Sequence, residues 1–235
     1  MKLCILENDV LDPELSARFI GFGDMFRRLF MAVGADWTVD IFNTMQGHYP
    51  ASYDEFDAVL LTGSRADSFS QEPWVLALRQ QVEQLLQAKK KLLGVCFGHQ
   101  LIALCLGAEV GRAPQGWGAG RMRYQWHTPP WAQEQGRTDI ALLASHQDQV
   151  VALPAGATLL ASSEFCPVAA FMVDQQVLCV QPHPEFMEDF SAYLLDKRRA
   201  LLGEERYSAA TDSLALGHEG LHMGRVMVAF IEEKS

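Results

Sequence analysis

Residues 92–101 read LLGVCFGHQL, with Cys96 set between Gly94 and Gly98. Glycine, any residue, nucleophile, any residue, glycine is the pattern of an elbow that displays one side chain on a sharp strand-to-helix turn. Here cysteine stands where hydrolases usually carry serine. Such a turn strains the backbone, and flanking glycines remove the Cβ atoms that would clash. The helix that follows aims its N-terminal N–H groups at the sulfur, which favours the thiolate. The Phe97 N–H would point to where an oxyanion forms. A free cysteine is more often a small buried hydrophobe, and Cys4, Cys105 and Cys179 read that way. A base is needed to decide.

VLCVQPHPEF (177–186) offers one. His183 and Glu185 lie two apart, so in an extended segment both side chains leave the same face. Pro182 and Pro184 keep that segment from curling into a helix. A carboxylate beside an imidazole fixes its tautomer and stabilises the imidazolium. His99 follows the elbow by three residues, on the first helical turn, where it lines a pocket rather than acting as base. His48 and His127 have no organised neighbours. His218-Glu219-Gly220-Leu221-His222 matches the zinc-binding H-E-x-x-H pattern. Gly217 and Gly220 weaken the required helix, and only 13 residues follow His222, so this segment reads as a solvated helix start and no metal is expected.

These groups need a scaffold to bring them together. KLCIL (2–6), TVDIFN (38–43), FDAVLLTG (56–63) and KLLGVC (91–96) read as strands, the apolar runs among them as buried ones. Helical spacing marks 23–34, 74–90 and 99–110, with shorter helical pieces at 15–20 and 191–202. After Gly111 the texture becomes β-rich: RMRYQWH, TDIALLAS, ATLLASS, VAAFMV and VLCVQP. The expected fold is α/β, a doubly wound and mainly parallel sheet with helices on both faces and a small antiparallel extension. One domain over 1–235 is expected, with a helical tail from about 191 and a mobile loop at 203–217.

Bulk composition narrows the function. A formal net charge of −10 argues against nucleic acid, which recruits Lys and Arg to its phosphates. No stretch approaches the roughly 20 apolar residues of a membrane span, and MKLCILENDVLDPE is no signal peptide. Five cysteines without CxxC spacing suggest neither a disulfide framework nor a zinc ribbon. A soluble, reduced, cytoplasmic protein without a cofactor is expected.

GVCFGHQ together with QPHPEF resembles the class I glutamine amidotransferase family, especially glutaminase domains like that of GMP synthase. His183 follows Cys96 by 87 residues, in the order that family has. The resemblance covers roughly residues 1–190 and implies a flavodoxin-like fold with Cys96, His183 and Glu185 as the catalytic set. It implies that LLTGSRADS (60–68) stands in for a Gly-Gly-Pro oxyanion loop, so that Ser64 and Phe97 N–H groups would hold the oxyanion. ASHQDQV (144–150) resembles the family's Ser-His-x-Asp segment. Gly63, Gln100, Ser145 and His146 are thereby expected to line the substrate pocket. Gly63-Ser64-Arg65 departs from Gly-Gly-Pro, which puts in question whether that hole is preformed.

The expected activity is hydrolysis of the glutamine side-chain amide through a Cys96 thioester, releasing ammonia, with a synthetase subunit as the partner that would accept it. Two alternatives stand beside it. One is a γ-glutamyl peptidase acting alone on γ-glutamyl compounds, as plant enzymes resembling this family do. The other is a non-catalytic regulatory module.

Overall fold

A computed structural model describes residues 1–132 and 136–233. In chain order the elements are β1 (Lys2–Glu7), α1 (Pro13–Phe19), α2 (Phe22–Ala32), β2 (Thr38–Asn43), β3 (Ala58–Leu61), α3 (Pro73–Gln87), β4 (Lys91–Val95) and α4 (Phe97–Cys105). The second half holds β5 (Val110–Arg112), β6 (Gly118–Trp126), β7 (Asp139–His146), β8 (Asp148–Val150), β9 (Thr158–Ser162), β10 (Ala170–Val173) and β11 (Val177–Val180). Three helices follow, α5 (Glu188–Leu202), α6 (Glu204–Leu214) and α7 (Gly220–Glu232).

Among the described residues nine strands form one sheet in the order β2-β1-β3-β4-β11-β10-β9-β6-β7. Pairing is parallel from β2 through β11 and antiparallel beyond it. Strand alternation sorts side chains onto two cores. Leu3 and Ile5 pack with Phe26, Phe30 and Met227 of α2 and α7. Cys4 and Leu6 pack with Leu78, Val82 and Leu101 of α3 and α4. Burial of each such side chain contributes roughly 1.5–3 kcal/mol. With helices on both faces, chain ends that carry function collect at the carboxyl edge of the parallel strands. The loops after β1, β3, β4 and β11 all emerge there. No helix among the described residues is long and apolar enough to cross a membrane.

Three expectations are corrected. The helix expected over 99–110 ends at Cys105, because Gly107 turns the chain at φ +83 and Val110 opens β5. The antiparallel extension is not small, since β10, β9, β6 and β7 make up four of the nine strands. Residues 203–217 are no loop: Gly203 and Gly217, both at positive φ, bracket α6. Its sequence EERYSAATDSL lacks an apolar stripe because small side chains bring it close to β6. A Cβ on Gly120 would lie 2.7 Å from the Ala210 carbonyl oxygen, and the Arg121 N–H donates to Ser213 Oγ at 2.9 Å.

The H-E-x-x-H segment is a helix start, but a docked rather than a solvated one. Glu219 accepts the Ala141 N–H at 2.7 Å and pairs with Arg137, while His222 is buried edge-on against Trp126.

Candidate active site

Cys96 sits between β4 and α4 at φ 51, ψ −103, a region non-glycine residues enter at a cost of order 1–3 kcal/mol. The flanking glycines allow it by close approach. A Cβ on Gly98 would lie 2.4 Å from the Leu61 carbonyl oxygen, and one on Gly94 2.8 Å from the Gly98 carbonyl carbon. The Cys96 N–H donates to Val180 O at 2.9 Å, which ties the elbow to the strand that delivers the base. Cys96 is buried, at 5% exposure, like Cys4, Cys166 and Cys179, so burial alone does not mark it. Backbone and neighbours do. Burial pushes the Cys4, Cys105 and Cys166 thiols up to about 12, whereas Cys96 faces an imidazole.

That imidazole is His183, three residues beyond β11. The His183 backbone N–H donates to Leu143 O at 2.8 Å, an isolated antiparallel bridge that fastens the segment to β7. The ring stacks on Phe186 with centroids 3.8 Å apart and planes 11° off parallel. Its Nδ1 lies 2.7 Å from Glu185 Oε1, with both side chains almost fully buried. Burial by itself pushes the His183 pKa down. The Glu185 carboxylate and the Cys96 sulfur outweigh it and raise the pKa to about 10, so the imidazolium is favoured beside the sulfur.

Gly63 completes this wall. A Cβ there would lie 2.8 Å from His183 Cε1 and 3.6 Å from Cys96 Cβ. The loop after β3 is held from below by Thr62, whose Oγ1 accepts the Asn8 N–H at 3.0 Å and donates to Gly63 O at 3.1 Å. In a trans peptide the carbonyl and N–H point opposite ways, so the Ser64 N–H is turned away from Thr62. Arg65 occupies the position where the family pattern has proline. Its backbone N–H, which proline would lack, donates to Asp9 Oδ2 at 2.8 Å, and its guanidinium Nη2 and Nε reach the same carboxylate at 2.9 and 3.1 Å. Asp9 is 3% exposed.

Cys96 lies where two recesses meet. A polar one is bounded by Gln100, Arg112, His146 and Asp148; a more apolar cleft is bounded by Leu15, Phe22, Phe190 and His183. Ser64 and Ser145 border both. Gln100 donates through Nε2 to Asp148 O at 2.8 Å and Gln181 Oε1 at 3.1 Å, so it positions the recess as much as it lines it. His146 Nδ1 lies 3.1 Å from Asp148 O, and burial pushes its pKa down to about 4. Arg112 bridges Asp148 at 2.8 Å and Asp67 at 3.1 Å. Burial and the neighbouring Asp67 carboxylate, which accepts from the protonated form of Asp148, raise Asp148 to about 6, with Arg112 opposing. His99 is fully buried against Phe171, away from both recesses.

Several groups at the site carry no sequence signal of their own. Asp9 is an isolated acid after β1, Trp117 precedes β6, and Arg198 lies within DKRR on α5. Only Phe186, adjacent to the base, was within reach of motif reading.

Residues 20–195 match the family model for glutamine amidotransferase class-I. The chain is 33% identical to γ-glutamyl peptidase 3 of Arabidopsis thaliana, over 75% of this chain and 74% of that protein. It is 32% identical to the glutamine-hydrolysing GMP synthase of Aeropyrum pernix, over 52% of this chain and 24% of that protein. A glutamine amidotransferase of Thermotoga maritima superposes with a TM-score of 0.78 at 19% identity, covering 99% of this chain and 98% of that one. With its elbow, its fold and three quarters of its length in agreement, the chain belongs to the class I glutamine amidotransferase family.

Proposed function

We propose that the protein is a cysteine-dependent hydrolase of γ-glutamyl amides, with Cys96 as nucleophile, His183 as proton shuttle and Glu185 as the group that orients and charges His183. The observation that carries this reading is the juxtaposition of a strained cysteine elbow with a buried imidazole–carboxylate pair of 2.7 Å. Sulfur attacks the γ-carbonyl carbon, and Ser64 and Phe97 N–H groups hold the resulting oxyanion. The C–N bond breaks as His183 protonates the departing nitrogen. Water, deprotonated by His183, then cleaves the thioester and restores the thiolate–imidazolium pair. General acid–base transfer contributes about 10²–10⁴-fold and each oxyanion donor on the order of 10²–10³.

Either glutamine or a γ-glutamyl peptide could supply the amide, and both types of relative occur. The peptide reading is favoured because a second recess opens on the His183 side of the sulfur, whereas ammonia needs none. The glutaminase reading requires a synthetase that accepts ammonia and predicts turnover only in its presence. Five free cysteines fit a reducing compartment such as the cytoplasm.

Rapid quenching with glutamine or a γ-glutamyl dipeptide, followed by peptide mass spectrometry, is expected to find a γ-glutamyl thioester on Cys96. Cys96→Ala is expected to abolish that adduct and reduce turnover by at least about 10⁴-fold. Unchanged turnover in Cys96→Ala defeats the reading and favours a non-catalytic module.

A further inference from the structure

The general acid must touch the nitrogen that departs, so the leaving group lies on the His183 side of the sulfur. Of the two recesses at Cys96, His183 borders only the apolar cleft. The polar recess, with its amides, carboxylates and Arg112, is then left for the glutamyl part. The leaving-group cleft is walled by Leu11 and Leu15 before and on α1, Phe22 on α2, and Phe190 and Leu194 on α5. Such a surface has no use for ammonia and recovers free energy only by covering apolar carbon.

Two cations stand where this cleft meets the polar recess, Arg65 and Arg198, and Arg65 is already held by Asp9 and Asp12. Arg198 borders both. Its Nη1 is buried without a hydrogen-bond partner, and its guanidinium lies 5.2 Å over the Trp117 ring. The acids on the facing loop are engaged elsewhere: Asp9 by Arg65, and Asp12 by Arg65 and Lys197. Arg198 is half-buried, a buried N–H left without a partner is costly, and a planar guanidinium is shaped to take a carboxylate.

We propose that this cleft binds the leaving residue of a γ-glutamyl dipeptide whose second amino acid is apolar, with Arg198 pairing that residue's α-carboxylate. The proposal rests on the γ-glutamyl hydrolase reading and specifies its substrate class. The Cys96 thiolate, whose proton already rests on His183, forms the C–S bond. When the γ-amide C–N bond breaks, the same proton goes to the departing nitrogen, and the apolar amino acid leaves as a free amine. Water then yields glutamate and regenerates Cys96. No oxidant or further reactant enters.

The test measures kcat/KM, which reports acylation even where deacylation limits kcat, for γ-Glu-Leu, γ-Glu-Gly and γ-Glu-leucinamide. The wild-type protein is expected to favour γ-Glu-Leu over γ-Glu-Gly by at least about 10-fold, the scale of apolar pocket discrimination. It is expected to favour γ-Glu-Leu over the carboxamide by about 10–100-fold. Arg198→Gln is expected to close the second gap and leave the first, a ratio that a general folding defect does not move. Leu194→Asp is expected to close the first gap. A flat profile across the three compounds, or a carboxylate preference that survives in Arg198→Gln, overturns the proposal. If Cys96 acylation occurs at equal rates with all three, only this proposal falls. If none of them acylates Cys96, the hydrolase reading falls with it.

Discussion

The two sides of Cys96 are built differently. On the parallel side, every group expected to act on the γ-carbonyl follows a parallel strand: Cys96 after β4, His183 and Glu185 after β11, Ser64 after β3. Each is held by backbone or by a partner of opposite charge, as in Arg65 on Asp9 and His183 on Glu185. On the other side, the residue before β6, strand β7 and helix α5 supply Trp117, Ser145 and Arg198. There Arg198 Nη1 and His146 Nε2 are buried with no hydrogen-bond partner. The difference teaches a division of labour. Groups tied to a counter-charge or to backbone are preorganised for one reaction even where, as at Glu185 Oε2, one buried atom has no partner, and an unpaired guanidinium N–H waits for a ligand to complete it.

Glu185→Gln should break the first side most severely. The amide keeps the shape but removes the charge that raises the His183 pKa. Turnover is expected to fall by about 10²–10⁴-fold on every γ-glutamyl substrate alike. The imidazole C–H resonance of His183, followed by NMR, should titrate well below the wild-type value of about 10. A loss confined to one leaving group, or an unmoved titration, would place Glu185 on the recognition side instead.

Asp9→Asn tests the strap on the oxyanion loop and should have a smaller effect. It weakens both the backbone and the guanidinium contacts of Arg65 without touching the sulfur. A decrease of about 10-fold in kcat with KM little changed is expected, since a loosened donor is cheaper than a deleted one. A change in KM alone would show that the loop binds substrate rather than the oxyanion. From sequence, Gly63-Ser64-Arg65 leaves the preformed hole in question because proline is missing. The fastening is a contact between residues 56 apart, and no local pattern announces it.

The same limit explains what else could and could not be read. Cys96, His183 and Glu185 were legible because short-range geometry dictates them: glycines at an elbow, and a two-residue spacing in an extended chain. The strands were legible because apolar runs bounded by glycine have few other solutions. Helix α6 was not, since EERYSAATDSL is held by close backbone approach to Gly120 rather than by an apolar stripe. Arg198 was not, since one arginine in DKRR looks like a solvated helix face until α5 is folded over the cleft.

The histidines carry the comparison into stability, with opposite signs. His183 has its pKa raised, so its contribution is fully present below about 6.5 and is lost as pH rises through about 10. His146 is held neutral by burial at about 4, and His99, also buried, at about 3. Below about 6.5 the unfolded chain binds protons that these two sites refuse, so their contribution is present above 6.5 and drains away as pH falls toward 4. Replacing His146 with Gln removes one such site. Between pH 7.5 and 5.5 the wild-type protein should lose about 1 kcal/mol more unfolding free energy than His146→Gln does. Urea denaturation at the two pH values measures it. An equal loss in both proteins would mean that His146 accepts a proton in the folded state near its ordinary value, and that its buried Nε2 has found a partner on the recognition side.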